Sequence, residues 1–203
     1  MVPIISDFIK SRQEHINKQY RERLIQTDFS LICSNCFGGI FYHWLGIRFN
    51  TPFINLWLNN DDFIKAIANW PAFLSHPIIE DKNSIEPYPV GIGLSGIKIY
   101  FQHYSCFDEA IEKWERRKTR INRSKTVFML TNWGGVNNIV ENFNNLLLEH
   151  KLIFTSKPFK NIDSAVHLKG WSHNSGRNIW ATQNILGARY IDQFDIISYL
   201  NNL

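Results

Sequence analysis

At 203 residues, 44% hydrophobic and 14% aromatic, the chain can bury one substantial core, and nothing in its length demands a second domain. Its 22 basic and 18 acidic residues leave a net charge of +4, too mild and too dispersed for nucleic-acid binding but compatible with an anionic ligand. No stretch reaches the ~18 consecutive apolar residues of a spanning helix, Met1–Ile9 lacks the basic flank and apolar run of a signal peptide, and three cysteines make no secreted disulfide framework.

A cytoplasmic protein, at most peripheral to a membrane, is therefore expected. Ser6 can cap a first helix to about Ile25, in which Ile5, Phe8, Ile9, Ile16, Tyr20 and Leu24 recur at roughly helical spacing. Residues 1–27 read as a helix packed by one face on a single domain formed by 28–203. Phe29 to Cys33 is a short apolar run suited to a strand covered on both sides, and Gly38 to Leu45 reads as the following helix. Thr51-Pro52 breaks the chain. Phe53 to Leu58 reads as a second strand, and Asn59 or Asn60 can cap a helix from Asp61 to Trp70.

Pro71, Pro77, Pro87 and Pro89 mark Pro71 to Val90 as an irregular excursion, a lid or surface loop. Ile97 to Phe101 is the expected third strand. Phe107 to about Arg120 is a helix with Phe107, Ile111, Trp114 and Ile121 as its apolar stripe and Glu112–Arg116 at i,i+4 spacing. Val127–Leu130 and Leu152–Phe154 read as strands separated by a helix over Val136–Leu148. Val166–Leu168 is a candidate further strand, and Tyr190–Leu200 is amphipathic. This alternation predicts an α/β fold: a single three-layer domain, a mainly parallel sheet with helices on both faces.

Such sheets hold ligands at the carboxyl ends of their strands. Two stretches fall there, Cys33-Ser34-Asn35-Cys36-Phe37-Gly38-Gly39 and His103-Tyr104. Cys36 would sit near a helix amino terminus, where the dipole favours a thiolate, with His103 as a base from a neighbouring strand; a buried structural thiol is the alternative. Asn35 and the amides of Phe37 to Gly39 could equally cradle an anion. Cys33-x-x-Cys36 has the local context of a redox pair, and with His103 and Cys106 the spacing of a zinc set. The flanking residues and length do not suit the redox fold, and the zinc set needs both halves to meet.

Gly91-Ile92-Gly93-Leu94-Ser95-Gly96 spells a dinucleotide fingerprint but precedes a strand instead of following one, so it reads as a turn. Asn132-Trp133-Gly134-Gly135 does follow a strand and can line the same rim. Lys113, Arg116, Arg117, Lys118, Arg120 and Arg123 gather cations on one helix, either a phosphate-facing group or a solvated face. His173 has no partner readable in the sequence. Neither Asp61-Asp62 nor any other acidic pair has a metal-ligand or glycosidase context.

Cys36-Phe37-Gly38-Gly39, Tyr42-His43-Trp44-Leu45-Gly46, Thr51-Pro52-Phe53, Tyr88-Pro89-Val90-Gly91 and His103-Tyr104 occur together in this order. Glu109-Ala110, the block Glu112-Lys113-Trp114-Glu115-Arg116-Arg117, Arg120-Ile121-Asn122 and Phe154-Thr155-Ser156-Lys157-Pro158 follow. The chain from about Phe29 to Asn201 thereby resembles the bacterial domain-of-unknown-function family nineteen-nineteen, whose members are often labelled exopolysaccharide biosynthesis proteins. That family's usual S-N-N-C-W-G-G has Cys33 in place of its first serine here, and needs no C-x-x-C pair. The resemblance implies an α/β domain connected with making or modifying capsular or exported polysaccharide, and brings no established catalytic residues.

The expected function is accordingly a transferase acting on a sugar or activated, phosphorylated sugar intermediate. Cys36 and His103 are the catalytic candidates, and Asn35, Gly38, Gly39, His43, Tyr104, Arg116, Arg117 and Arg120 the substrate-binding ones, with no metal and no cofactor. Two alternatives accompany it: a thiol-dependent acyltransferase or hydrolase using Cys36 and His103, and a non-catalytic partner that docks on membrane polysaccharide assembly proteins through its basic helix.

Overall fold

The computed structural model describes residues 3–203; the first two residues of segment 1–27, and so the beginning of the Met1–Ile9 stretch, lie outside the described residues. Helix α1 (Pro3–Arg23) leads to β1 (Ser30–Cys33), buried along its whole length, and α2 (Phe37–Leu45). Gly46 stops α2 in the left-handed conformation, φ 67°, which costs glycine no Cβ clash. In α3 (Asn60–Ala68) the Asn59 side chain accepts from the Asp62 N–H. A separate helix, α4 (Trp70–Ser75), begins at Trp70-Pro71, because proline fits a first turn but breaks a helix interior.

The expected irregular stretch from Pro71 to Val90 thus contains α4 and part of a small antiparallel sheet, β2 (Ile79–Glu80), β3 (Val90–Ile92) and β4 (Lys98–Tyr100). After it come α5 (Phe107–Lys118), β5 (Thr126–Thr131), α6 (Asn137–Asn144), β6 (His150–Thr155), β7 (Ala165–His167) and α7 (Ile196–Asn201). The chain forms a single α/β domain.

The main sheet has the order β1-β5-β6-β7 and every pairing in it is parallel, with Cys33 opposite Met129 and Thr131 opposite Phe154. Side chains alternate between two cores, as the pleat requires. Leu31, Cys33, Val127, Met129, Leu152 and Phe154 pack with residues of α1, α2 and α7. Ile32, Phe128, Leu130 and Ile153 pack with α3, α4, α5 and α6. Both faces are therefore covered, which explains the near-continuous apolar runs of these strands.

Two expected strands are corrected. Phe53 to Leu58 is a buried loop: Pro52 precedes it, Asn55 takes φ 60°, and only Trp57 makes a bridge, to Tyr100. Its apolar run reflects burial between layers, not pairing. Ile97 to Phe101 contributes β4, but β4 pairs antiparallel with β3 and is not in the parallel sheet. The Gly91–Gly96 motif turns the β3–β4 hairpin, with φ 57° at Ser95 and 77° at Gly96.

The α1 helix is fastened by polar groups as well as packing. Tyr20 donates to Asp192 at 2.8 Å, and Arg189, 1% exposed, donates to Asn17 at 2.9 Å while its guanidinium lies 3.5 Å from the Trp44 ring centre. Among the described residues no helix is long and apolar enough to cross a membrane.

Candidate functional site

The carboxyl ends of β1 and β5 open into a cleft of about 900 Å³. Its floor is built by backbone logic. Asn35 follows β1, donates to Thr131 Oγ1 at 2.9 Å and accepts from the Phe37 N–H at 3.0 Å, so one amide latches two strand ends and starts α2. Leu58 N–H donates to Ser34 O at 2.9 Å, and Trp57 exchanges two 3.0 Å hydrogen bonds with Tyr100. His103 N–H donates to Asn55 O at 3.3 Å. The 55–58 loop is thus the pin between the two sheets, and it brings Asn35, Cys36 and His103 to one cleft although β4 lies outside the parallel sheet.

The walls are aromatic. Trp57, Tyr88, Trp133 and Trp180 line them, together with Asn59, Asn60, Gln102 and Asn178. Neighbours fix three of these rings. Trp57 stacks on Tyr100 at 3.8 Å and 5°, Trp180 lies parallel to Phe37 at 6.3 Å, and Trp133 meets Trp171 edge-on at 5.7 Å. Asn60 Nδ2 donates to Trp133 O at 3.0 Å. No aspartate, glutamate, lysine or arginine lines the cleft. Flat apolar faces beside neutral amides can hold an uncharged ring that carries many hydroxyls.

The Cys36 thiol donates to Leu56 O at 3.6 Å, and burial pushes its pKa up from 9.0 to about 11. The helix terminus does not outweigh that burial, so the thiol is protonated at neutral pH. Cys33 is buried, which raises the pKa of its thiol, and the Gly38 N–H donates to its sulfur. Gly38 and Gly39 are packing positions: a Cβ at Gly38 would lie 2.9 Å from Cys33 Sγ, and one at Gly39 3.3 Å from Ile54 Cγ2. All three cysteines are free thiols. Among the described residues no three His, Cys, Asp or Glu side chains gather for a metal ion.

The remaining expected binding residues lie elsewhere. His43 faces α1 beside Arg21 and Glu14. Tyr104 is buried, donates to Ile54 O at 2.8 Å and accepts from Arg117 at 2.7 Å. Burial raises its pKa against the opposing pull of Arg117. Arg117 is itself buried over the Phe49 ring. Arg116 pairs with Glu112 at 3.1 Å in solvent, and Arg120 donates to Phe49 O at 3.3 Å. Asn122, next along, donates from its backbone to Ser30 Oγ at the start of β1. The arginines therefore gather at the amino end of the sheet, and the structure does not bring them to the cleft. Partial burial and the nearby cations of Arg48, Arg116 and Arg117 lower the pKa of Arg120.

Sequence reasoning overlooked Trp57, Tyr88, Gln102, Asn178 and Trp180 as cleft residues. A signal was present: Trp57, Trp133 and Trp180 each have an asparagine within two residues, Asn59, Asn132 and Asn178. It also left His173 without a partner, and the structure supplies one: Ser156 Oγ lies 2.6 Å from His173 Nδ1.

The sequence profile described as domain of unknown function (DUF1919) matches residues 8–201. The chain is also 32% identical over 203 residues to an "Uncharacterized protein" of Haemophilus influenzae, an alignment covering 98% of this chain and 97% of that one. The match runs through both sheets, the cleft and the α5 block. The chain belongs to the DUF1919 family.

Proposed function

We propose that the cleft holds the saccharide substrate of a transferase that works in the cytoplasm on the assembly of cell-surface polysaccharide. The observation that carries the sugar reading is the lining itself: four rings of Trp and Tyr and five amide side chains, with no aspartate, glutamate, lysine or arginine, around a volume of about 900 Å³. Ring faces stack on the C–H faces of a pyranose, and amides exchange hydrogen bonds with its hydroxyls. The polysaccharide context is what the family resemblance implies. His103, exposed at the lip, is placed to take a proton from, or donate a hydrogen bond to, a saccharide hydroxyl.

No lysine or arginine lines the cleft to meet a phosphate, so the part of the substrate held here is the neutral sugar, with any phosphate of a donor outside the lining. The exposed Arg116 and half-buried Arg120, at the other end of the sheet, are placed to dock on a membrane-bound assembly partner. The reading is tested by titrating neutral oligosaccharides, and separately inorganic phosphate, while following tryptophan fluorescence. Oligosaccharides should bind, and Trp57→Ala or Trp180→Ala should weaken them about tenfold, the worth of one lost stacking contact. Binding of phosphate without any oligosaccharide response would overturn it. Surface polysaccharide from a strain lacking the protein should be altered or absent.

A further inference from the structure

Ser156 follows the last residue of β6, at the same carboxyl rim as the cleft and one strand along from Trp133. Its hydroxyl is 2.6 Å from His173 Nδ1, and both residues are half-buried, neither sealed in the core nor free in solvent. The imidazole is pressed against Gly135. A Cβ there would lie 2.4 Å from its Cε1, 2.5 Å from Nε2 and 2.6 Å from Nδ1, and Gly135 has φ 64°. Only glycine allows this approach, and the adjoining Gly134 lines the cleft. The pair thus borders the wall that we read as saccharide-binding.

A serine hydroxyl within hydrogen-bond reach of an imidazole nitrogen is the arrangement of a nucleophile and its base. The cleft lacks the paired carboxylates that displacement at an anomeric carbon commonly uses. An acyl carbon is the electrophile that a hydroxyl and an imidazole can handle without them. We propose that Ser156 and His173 are the nucleophile and base of an acyl transfer to a saccharide hydroxyl, a proposal that rests on the saccharide reading and specifies the group transferred. Ser156 Oγ bonds to the carbonyl carbon of an acyl thioester while its proton passes to His173 Nδ1; the C–S bond breaks, and the thiol leaves with that proton. A saccharide hydroxyl then gives its proton to Nδ1 and attacks the acyl-serine; the Oγ–C bond breaks, and Ser156 recovers the proton. Nothing is oxidised or reduced.

The test treats the intact protein with an alkyl fluorophosphonate and maps adducts by mass spectrometry. One adduct on Ser156 is expected, formed at least about a hundredfold more slowly in His173→Gln, the lower end of a positioned base's contribution. No adduct on Ser156, or an equal rate in a folded His173→Gln protein, would make the pair a structural tie between loops and overturn the proposal. Because the wild-type adduct map decides the first point, a variant that fails to fold does not spoil the test. Oligosaccharide titration of the same sample separates the two readings. Sugar binding without labelling removes the nucleophile alone, and labelling without sugar binding removes the saccharide acceptor.

Discussion

Cys36 shows how one residue's environment decides between chemistries that its position leaves open. It sits at the amino end of α2, where a dipole would favour a thiolate, yet burial raises its pKa from 9.0 to about 11. The raised value means the native state holds the proton more tightly than the unfolded chain. Its stabilising contribution is therefore complete below pH 9 and is lost as pH rises through about 11. Iodoacetamide alkylation of Cys36 should accordingly accelerate only as pH climbs toward 11, well after the exposed Cys106 has reacted. Rapid modification of Cys36 at neutral pH would restore the thiol-nucleophile alternative. Tyr104 and Arg117 are the counterpart case: residues with catalytic-looking chemistry spend their polar groups on each other and on Ile54 O.

The helices and the parallel strands were legible because each carries its signal locally. Leu31–Cys33, Val127–Leu130 and Leu152–Phe154 are apolar runs covered on both faces, and Ala110 and Trp114 mark the buried side of α5. The cap at Asn59 or Asn60 was legible for the same reason, and the structure gives it to Asn59. Replacing it by Ala removes the acceptor for the Asp62 N–H and should lower stability by about 1 kcal/mol in urea denaturation, with the unfolding slope unchanged. The Phe53–Leu58 loop misled because an apolar run records burial, not hydrogen bonding. Likewise, Tyr190–Leu200 reads as one amphipathic stretch but divides at Asp195, whose side chain accepts from Ser198 N–H and starts α7 afresh.

Across the whole molecule, the neutral cleft occupies the carboxyl end of the sheet and the arginine cluster the amino end. A saccharide held by stacking and amides should therefore bind with an affinity that changes less than about twofold between ~0.05 and ~0.5 M salt. A steep loss with salt, read from the same fluorescence titration, would mean that the cations take part. The sequence by itself determined the α/β class, the glycine turn at Gly91–Gly96 and the strand ends at which Asn35, Cys36 and Trp133 stand, since each depends on neighbours within a few residues. Only the tertiary structure decided that the 55–58 loop brings His103 into the cleft that Cys36 lines, that three tryptophans form one wall, that Arg116, Arg117 and Arg120 are held away from it, and that Ser156 meets His173. Those placements follow from strand order and loop paths, which bring together residues far apart in the chain and leave no periodic trace in it.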